Sequence, residues 1–412
     1  MKQNFKIEIA EDAAGLGLVQ GFKVAGVGCD IRNKNDMSRL DVALIVSDVP
    51  ATASGVFTTN DVKAAPVVTD MKHLQQSKTM RAIVANSGNA NACTGDRGMA
   101  DAQTTCSFVA AQLGTSADQV LVCSTGRIGE FMPMQKLENG IKEAAQKLSS
   151  SDESSRNASR AIMTSDTRPK TVFTKVEVDG KTFCAAGMAK GAGMIEPNMA
   201  TMLAFIVCDA KIDQELLKQC LKGAADKTFN RITVDGDMST NDTVLCLCNG
   251  LSGVEITKND TDKLEAFKAA IIAVSRALAR KIVGDGEKIT KVVEVKIEGA
   301  RDEAQAEKIC RAIGNSLLVK SSWFGCDPNW GRLTDAAGYA RTGISIENID
   351  LWYDDVEVLK KGQPIDANKT LWRKIVSNKT FTITMNLNMG SASDAILAAD
   401  LTEEYVNFNK GE

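Results

Sequence analysis

A chain of 412 residues, 44% of them hydrophobic, can bury a substantial core, and its length alone suggests roughly two or three domains. Its 49 basic and 52 acidic residues are well mixed and sum to −3, which leaves no basic stripe for nucleic acid and no polybasic cluster for an anionic membrane. The expected partners are small molecules or copies of the chain itself.

From the N-terminus, MKQNFKIEIAEDAAGLG carries charges throughout and lacks the apolar run of about 7–15 residues that marks a signal peptide. Nowhere do about 18 consecutive apolar residues occur, so the chain is expected to be soluble and cytoplasmic. RLDVALIVSD (39–48), TMRAIVANSG (79–88), DQVLVCSTG (118–126) and KTVFTKVEV (170–178) have the β-branched apolar runs of strands. Between them, MADAQTTCSFVAAQLG (99–114) and MQKLENGIKEAAQKLSS (134–150) repeat apolar residues at helical spacing. Then TMLAFIVCDA predicts a strand, DQELLKQCLKGAAD a helix, DTVLCLCNG a strand, and the run from Thr261 to Ile282 a long helix. KVVEVKIEG, the helical AQAEKICRAIG, NSLLVKSSWFG and a late pair near ISIENIDLWYDD and KTFTITMNLNMG complete the series. There is no repeat and no low-complexity linker. The alternation predicts an α/β protein with mixed sheets.

Eleven scattered cysteines fit reduced thiols rather than a disulfide framework. Cys246 and Cys248 in VLCLCNG have strand spacing, without the two-residue gap or second pair of a zinc site, and are expected to be buried. The single histidine, His73, lies in the polar DMKHLQQSK and is expected at the surface. With one histidine in the chain, any Ser-His-Asp or Cys-His arrangement must use His73, and a nucleophile placed elsewhere needs another base. A threonine whose own α-amino group takes the proton supplies one, because that amine titrates near neutrality.

Several stretches could carry chemistry. NSGNANACTG (86–95) offers amide donors and turns. CSTGRIG (123–129) sets Ser124, Thr125 and Gly126 at a strand end, where a hydroxyl and a glycine N–H could hold an oxyanion or simply form a turn. VDGDMSTND (234–242) contains Asp235, Asp237, Asn241 and Asp242, but lacks calcium-loop spacing and is better read as turn capping. GDGE (284–287) puts Glu287 at a glycine-rich helix end, as a ligand for a substrate amine or as a solvated residue. DPNWGR (327–332) reads as a turn with exposed Trp330 and Arg332. KGAG (190–193) has its lysine before the glycines, so it is not a nucleotide phosphate loop.

The stretch MAKGAGMIEPNMATMLAF (188–205) runs a glycine-loosened loop into an apolar strand at Thr201. With VPATASGVFTTNDVKAAPV, RAIVANSGNANACTG, MTSDTRPK, TVDGDMSTNDT, DPNWGR and DLTEEYV, it closely resembles the ornithine acetyltransferase family of arginine biosynthesis, also called glutamate N-acetyltransferase. The resemblance covers nearly the whole chain, with its segments in the right order. It implies self-cleavage between Ala200 and Thr201, giving an α chain of 1–200 and a β chain of 201–412. It also implies a two-step transfer in which N-acetyl-L-ornithine acetylates Thr201 and L-glutamate takes the acetyl group. The family's oxyanion pair falls on Thr125 and Gly126, and its substrate contacts fall on Thr164, Lys190, Thr201, Glu287 and Asn409. No metal, nucleotide or redox cofactor is implied, although some members also use acetyl-CoA as a substrate. The implied assembly is an α2β2 oligomer of the cut chain. The implied fold is a layered α/β sandwich of mixed sheets between helices, of the N-terminal-nucleophile kind, with a smaller α/β domain near residues 290–385.

The chain departs from the family pattern at Lys288 and Ile289 beside Glu287, and after Asn409 the pattern expects a second hydroxyl residue, which Lys410, Gly411 and Glu412 do not supply. It also lacks the usual tryptophan in SASDAILAADLT. Two further readings stand beside the transferase. One is an N-terminal-nucleophile amide hydrolase or aminopeptidase that shares Thr201 but lets water reach the acyl-enzyme. The other is a non-catalytic binding protein that stays uncut.

Overall fold

The structure, a computed structural model, describes residues 4–13, 15–196 and 202–410. The chain forms two compact units. The first takes residues up to Gly191, Pro197–Asn230 and Asp237–Ile282; the second takes Ala192–Glu196, Arg231–Gly236 and Val283 onward.

In the first unit the described residues form a nine-stranded mixed sheet. Phe5–Glu11, Lys170–Val178, Lys181–Lys190, Leu203–Cys208, Thr243–Cys248, Val42–Phe57, Thr79–Asn89 and Val120–Arg127 follow one another across it, and Phe22–Val27 pairs separately with Val42–Phe57. Alternate residues supply two cores. Val42, Leu44, Val84 and Val122 pack with Cys106 and Val109 of helix Gly95–Leu113 and with Leu137 and Ile141 of helix Met134–Gln146. Ala43, Ile45, Ile83 and Leu121 pack with Ala158 and Ala161 of helix Asp152–Ala161 and with Phe205, Leu245 and Leu247. A sheet covered on both faces needs apolar residues at every position. Accordingly, every residue of Leu203–Cys208 and Thr243–Cys248 is buried.

Helix Thr261–Val283 belongs to the same layering. A Cβ at Gly187 would lie 2.7 Å from Val274 and 2.8 Å from Leu278, so the glycine sets how closely helix and strand approach. Phe183 and Phe267 add a ring contact at 6.2 Å. Cys246 and Cys248 are buried on this sheet with their sulfurs 4.0 Å apart, and burial raises the Cys248 thiol well above its usual range.

The second unit has a seven-stranded sheet among the described residues, in the order Ile232–Thr233, Ala392–Ala399, Val292–Ala300, Thr380–Asn386, Asp350–Tyr353, Val356–Lys360 and Gln363–Pro364. Its strands alternate. Val293, Val295 and Ile297, with Phe381, Ile383 and Met385, enter one core beside Ile309 and Ile313 of helix Glu303–Asn315 and Trp372 of helix Lys369–Val376. Their neighbours along the strand are only half-buried or exposed.

Two expectations are corrected. His73 is buried: it lies on helix Ala65–Gln76, and its Nδ1 hydrogen-bonds the Val120 carbonyl at 2.8 Å, so the polar run around it is one face of a helix whose other face packs. DPNWGR opens a helix: Asn329 accepts the Arg332 N–H at 3.2 Å as an N-cap, helix Trp330–Tyr339 follows, and Trp330 packs partly against the core. NSLLVKSSWFG is the helix Leu317–Phe324, capped by Ser316. Among the described residues no helix is long and apolar enough to cross a membrane.

Candidate active site

Thr125 and Gly126 stand at the end of Val120–Arg127, one of the edge strands of the large sheet. The strand is held from two sides. Asp70, on the same helix as His73, accepts the Val122 N–H at 2.7 Å. From the neighbouring strand Asn86 accepts the Ser124 hydroxyl proton at 2.6 Å. Gly126 has φ +132°, and an added Cβ would lie 2.4 Å from the Gly88 carbonyl carbon and 2.6 Å from the Asn89 nitrogen. Only glycine fits there, and what it brings to the strand end is backbone.

Lys190 closes the strand Lys181–Lys190 and is 3% exposed. Its ammonium donates to Thr125 Oγ1 at 3.1 Å. Asp166 anchors the same neighbourhood, accepting from Lys170 Nζ at 2.5 Å, from the Gly191 N–H at 2.7 Å and from the Thr164 N–H at 3.0 Å. Burial alone would raise the Asp166 carboxyl. The ammonium groups of Lys170 and Lys190, with the Gly191 N–H and the Lys170 hydrogen bond, outweigh it and hold the group below the usual carboxylate range. Asp166 is therefore an ionised carboxylate beside two buried ammonium groups. Thr164 is half-buried, and Arg39 donates to its carbonyl at 3.2 Å.

The strand after Thr201 enters here too. Leu203 pairs with Lys190 on one side and with Thr243 on the other, and the Met202 N–H donates to Asp242 Oδ1 at 2.6 Å. Thr201 and Ala200 themselves lie outside the described residues. Thr125, Gly126, Thr164 and Lys190 thus share the first unit with the start of the strand that follows the expected nucleophile.

Glu287 and Asn409 belong to the second unit. The Glu287 N–H donates to the Ala192 carbonyl at 2.9 Å, and Asn409 Nδ2 donates to Glu287 Oε2 at 3.3 Å. A Cβ at Gly193 would stand 2.4 Å from the Glu287 carboxyl, so that glycine makes room for it. Asp235 accepts the N–H groups of Met194 and Ile195 at 2.6 and 2.7 Å and the Tyr405 hydroxyl at 3.1 Å. Lys288, one of the departures from the family pattern, holds φ +55° and places its ammonium 5.1 Å from the Phe408 ring centre.

Sequence reasoning passed over Asp166 and the structural use of Asn241 and Asp242. The signal for Asp166 was its place four residues before Lys170 in SDTRPK; only the fold shows that both side chains are fully buried.

The ArgJ family model matches residues 23–411. The chain is 44% identical over 395 residues to the arginine biosynthesis bifunctional protein ArgJ of Geobacter sulfurreducens, covering 95% of this chain and 98% of that one. It is also 44% identical over 395 residues to the protein of the same name from Thermotoga neapolitana, with the same coverage. Among solved structures, the ornithine acetyltransferase of Mycobacterium tuberculosis complexed with ornithine is 36% identical, covers 48% of this chain and 100% of that one, and has a TM-score of 0.42.

Proposed function

This chain belongs to the ArgJ family, and from that premise we propose that it moves the acetyl group of N2-acetyl-L-ornithine to L-glutamate through an acetyl ester on Thr201. Thr201 is first freed by self-cleavage: its hydroxyl attacks the Ala200 carbonyl, the peptide becomes an ester, and water hydrolyses it to leave an N-terminal threonine. The new α-amine is a base carried by the nucleophile itself, independent of the one, buried histidine. Thr201 Oγ then attacks the acetyl carbonyl, and its proton passes by way of the amine to the departing ornithine nitrogen. In the second half-reaction the uncharged α-amine of glutamate attacks the ester and restores the hydroxyl.

The observation that carries this reading is the Lys190–Thr125 contact at 3.1 Å beside Gly126. An oxygen that accepts from a buried ammonium directs its own proton elsewhere and is a stronger donor for it. The Thr125 hydroxyl and the Gly126 N–H are then the donors for the tetrahedral oxyanion. The same positive charge suits the α-carboxylate of an amino-acid substrate. The family resemblance makes Glu287 and Asn409 substrate contacts, and a carboxylate is the group that suits an ammonium. Acetyl-CoA, which the family resemblance offers as a substrate of some members, would be a second donor to the same ester. The reaction as drawn needs no metal or redox group, and the cut chains are expected to assemble as α2β2.

Incubation with N-acetyl-L-ornithine and L-glutamate tests the reading. Ornithine and N-acetyl-L-glutamate are expected in equal amounts, and Thr201→Ala is expected to lose cleavage and transfer together. Acetate in place of N-acetyl-L-glutamate would make the chain a hydrolase, and no product at all would make it a binding protein.

A further inference from the structure

The dipeptide Asn241–Asp242 sits in VDGDMSTND, whose residue types suggest only turns and caps. Its two side chains are almost fully buried, and both hydrogen-bond to backbone: Asn241 to two carbonyls and Asp242 to one N–H. Asn241 Nδ2 donates to the Ser124 carbonyl at 2.8 Å and to the Ala90 carbonyl at 2.6 Å. The Ser124 carbonyl belongs to the peptide group that carries the Thr125 N–H. Asn241 Oδ1 receives the Thr240 hydroxyl at 2.7 Å, so the orientation of the amide is set by all its partners. Asp242 Oδ1 accepts the Met202 N–H at 2.6 Å, the donor of the peptide bond on the carboxyl side of Thr201. Its other oxygen is buried and has no partner among the described residues.

The backbone beneath the pair is held as firmly. The Thr58 N–H donates to the Asp242 carbonyl at 2.9 Å, the Ala64 N–H to the Thr240 carbonyl at 2.9 Å, and the Thr58 hydroxyl to the Ser239 carbonyl at 2.8 Å. Two adjacent residues on one rigid segment therefore grip two strands at once. One strand presents the oxyanion donors; the other begins one residue beyond the nucleophile's own peptide. We propose that Asn241 and Asp242 are positioning residues for the acetyl transfer, setting the strand that follows Thr201 against the Thr125–Gly126 pair. The inference rests on the acyl-transfer reading above.

The chemistry of the pair fits this task. Reaction at an acyl carbon requires nucleophile and oxyanion donors in one fixed geometry, and a displacement of about 1 Å can lower the rate about 100-fold. What Met202 requires of position 242 is an oxygen that accepts its N–H, and Asp242 Oδ1 supplies it from a fully buried side chain. Burial drives the Asp242 carboxyl well above its usual range, against the pull of the Met202 N–H and the Lys190 ammonium. A neutral isostere that keeps the accepting oxygen should therefore do the same work.

The test compares wild type, Asp242→Ala, Asp242→Asn and Asn241→Ser, each normalised to the number of cut chains. In Asp242→Ala and Asn241→Ser, kcat is expected to fall about 100-fold while KM for N-acetyl-L-ornithine and for L-glutamate stays within about threefold. Asp242→Asn is expected to recover most of the loss. Should Asp242→Ala not accumulate as folded protein, Asn241→Ser carries the same comparison, because the Asp242–Met202 contact is left in place. If kcat per cut chain stays within about threefold of wild type in Asn241→Ser and in every folded Asp242 variant, the inference fails while the transferase reading stands. A wild type that makes no N-acetyl-L-glutamate overturns both.

Discussion

The two sheets of this protein solve burial in opposite ways. In the first unit both faces are covered, the central strands Leu203–Cys208 and Thr243–Cys248 are buried throughout, and polar groups at their ends must find partners inside the protein. The result is a cluster of buried charge: Lys170, Lys190 and Asp166 lie within hydrogen bonds of Thr125, Thr164 and Gly191. In the second unit the strands alternate, one face stays partly open, and Glu287 is half-buried beside an exposed Asn409. Charge that is shielded from water acts strongly on a reacting atom, whereas charge in contact with water mainly selects what binds. Chemistry should reside with the first group and discrimination with the second.

The comparison is most exposed to failure at Asp166. Asp166→Ala leaves Lys170 and Lys190 without their shared carboxylate and is expected to lower stability by about 3–5 kcal/mol, read from urea melts. In the wild type the carboxyl titrates below its ordinary value of 3.8, so its stabilisation is complete above that value. It disappears as the pH falls further, toward the folded group's own lower pKa. A variant that melts like wild type at neutral pH and keeps the same acid limb would show that the buried charges are not coupled as described.

A smaller effect on folding and a larger one on chemistry are expected at Gly126. In Gly126→Ala the new methyl meets the Gly88 backbone at 2.4 Å with φ at +132°, so the strand end must shift and the N–H moves off its target. A loss of about 10²–10³ in kcat is expected from steady-state assays, as for the loss of one oxyanion donor. Glu287→Gln should act more mildly and differently. KM for N-acetyl-L-ornithine is expected to rise about tenfold with kcat little changed, because an amide keeps the shape and loses the charge. A drop in kcat without a change in KM would move Glu287 from discrimination to chemistry and dissolve the contrast between the units.

How much of this was legible in the sequence follows the same division. The continuous apolar runs of the covered sheet and the alternation of KVVEVKIEG announced their strands directly. Phe5–Glu11 did not, because it is an edge strand paired only with Lys170–Val178 and its residues are mostly exposed. His73 was misplaced because a polar run hides a helix face: the partner that buries it, the Val120 carbonyl, is 47 residues away. Thr125, Gly126 and Lys190 could be named from the family resemblance. Their mutual contact could not, since it joins strands distant in sequence. The roles of Asp166 and Asn241–Asp242 were hidden for a related reason. Aspartate and asparagine beside glycine, serine and threonine are the residues of turns, and only tertiary structure shows these ones buried and aimed at backbone groups distant in sequence.

The central claim is that a threonine freed at position 201 carries the acetyl group, and intact mass tests it most directly. The purified protein is expected to consist of two fragments meeting between Ala200 and Thr201, and after mixing with N-acetyl-L-ornithine the fragment that begins at Thr201 should gain one acetyl group. A single uncut chain that acquires no acetyl group under the same conditions would contradict it.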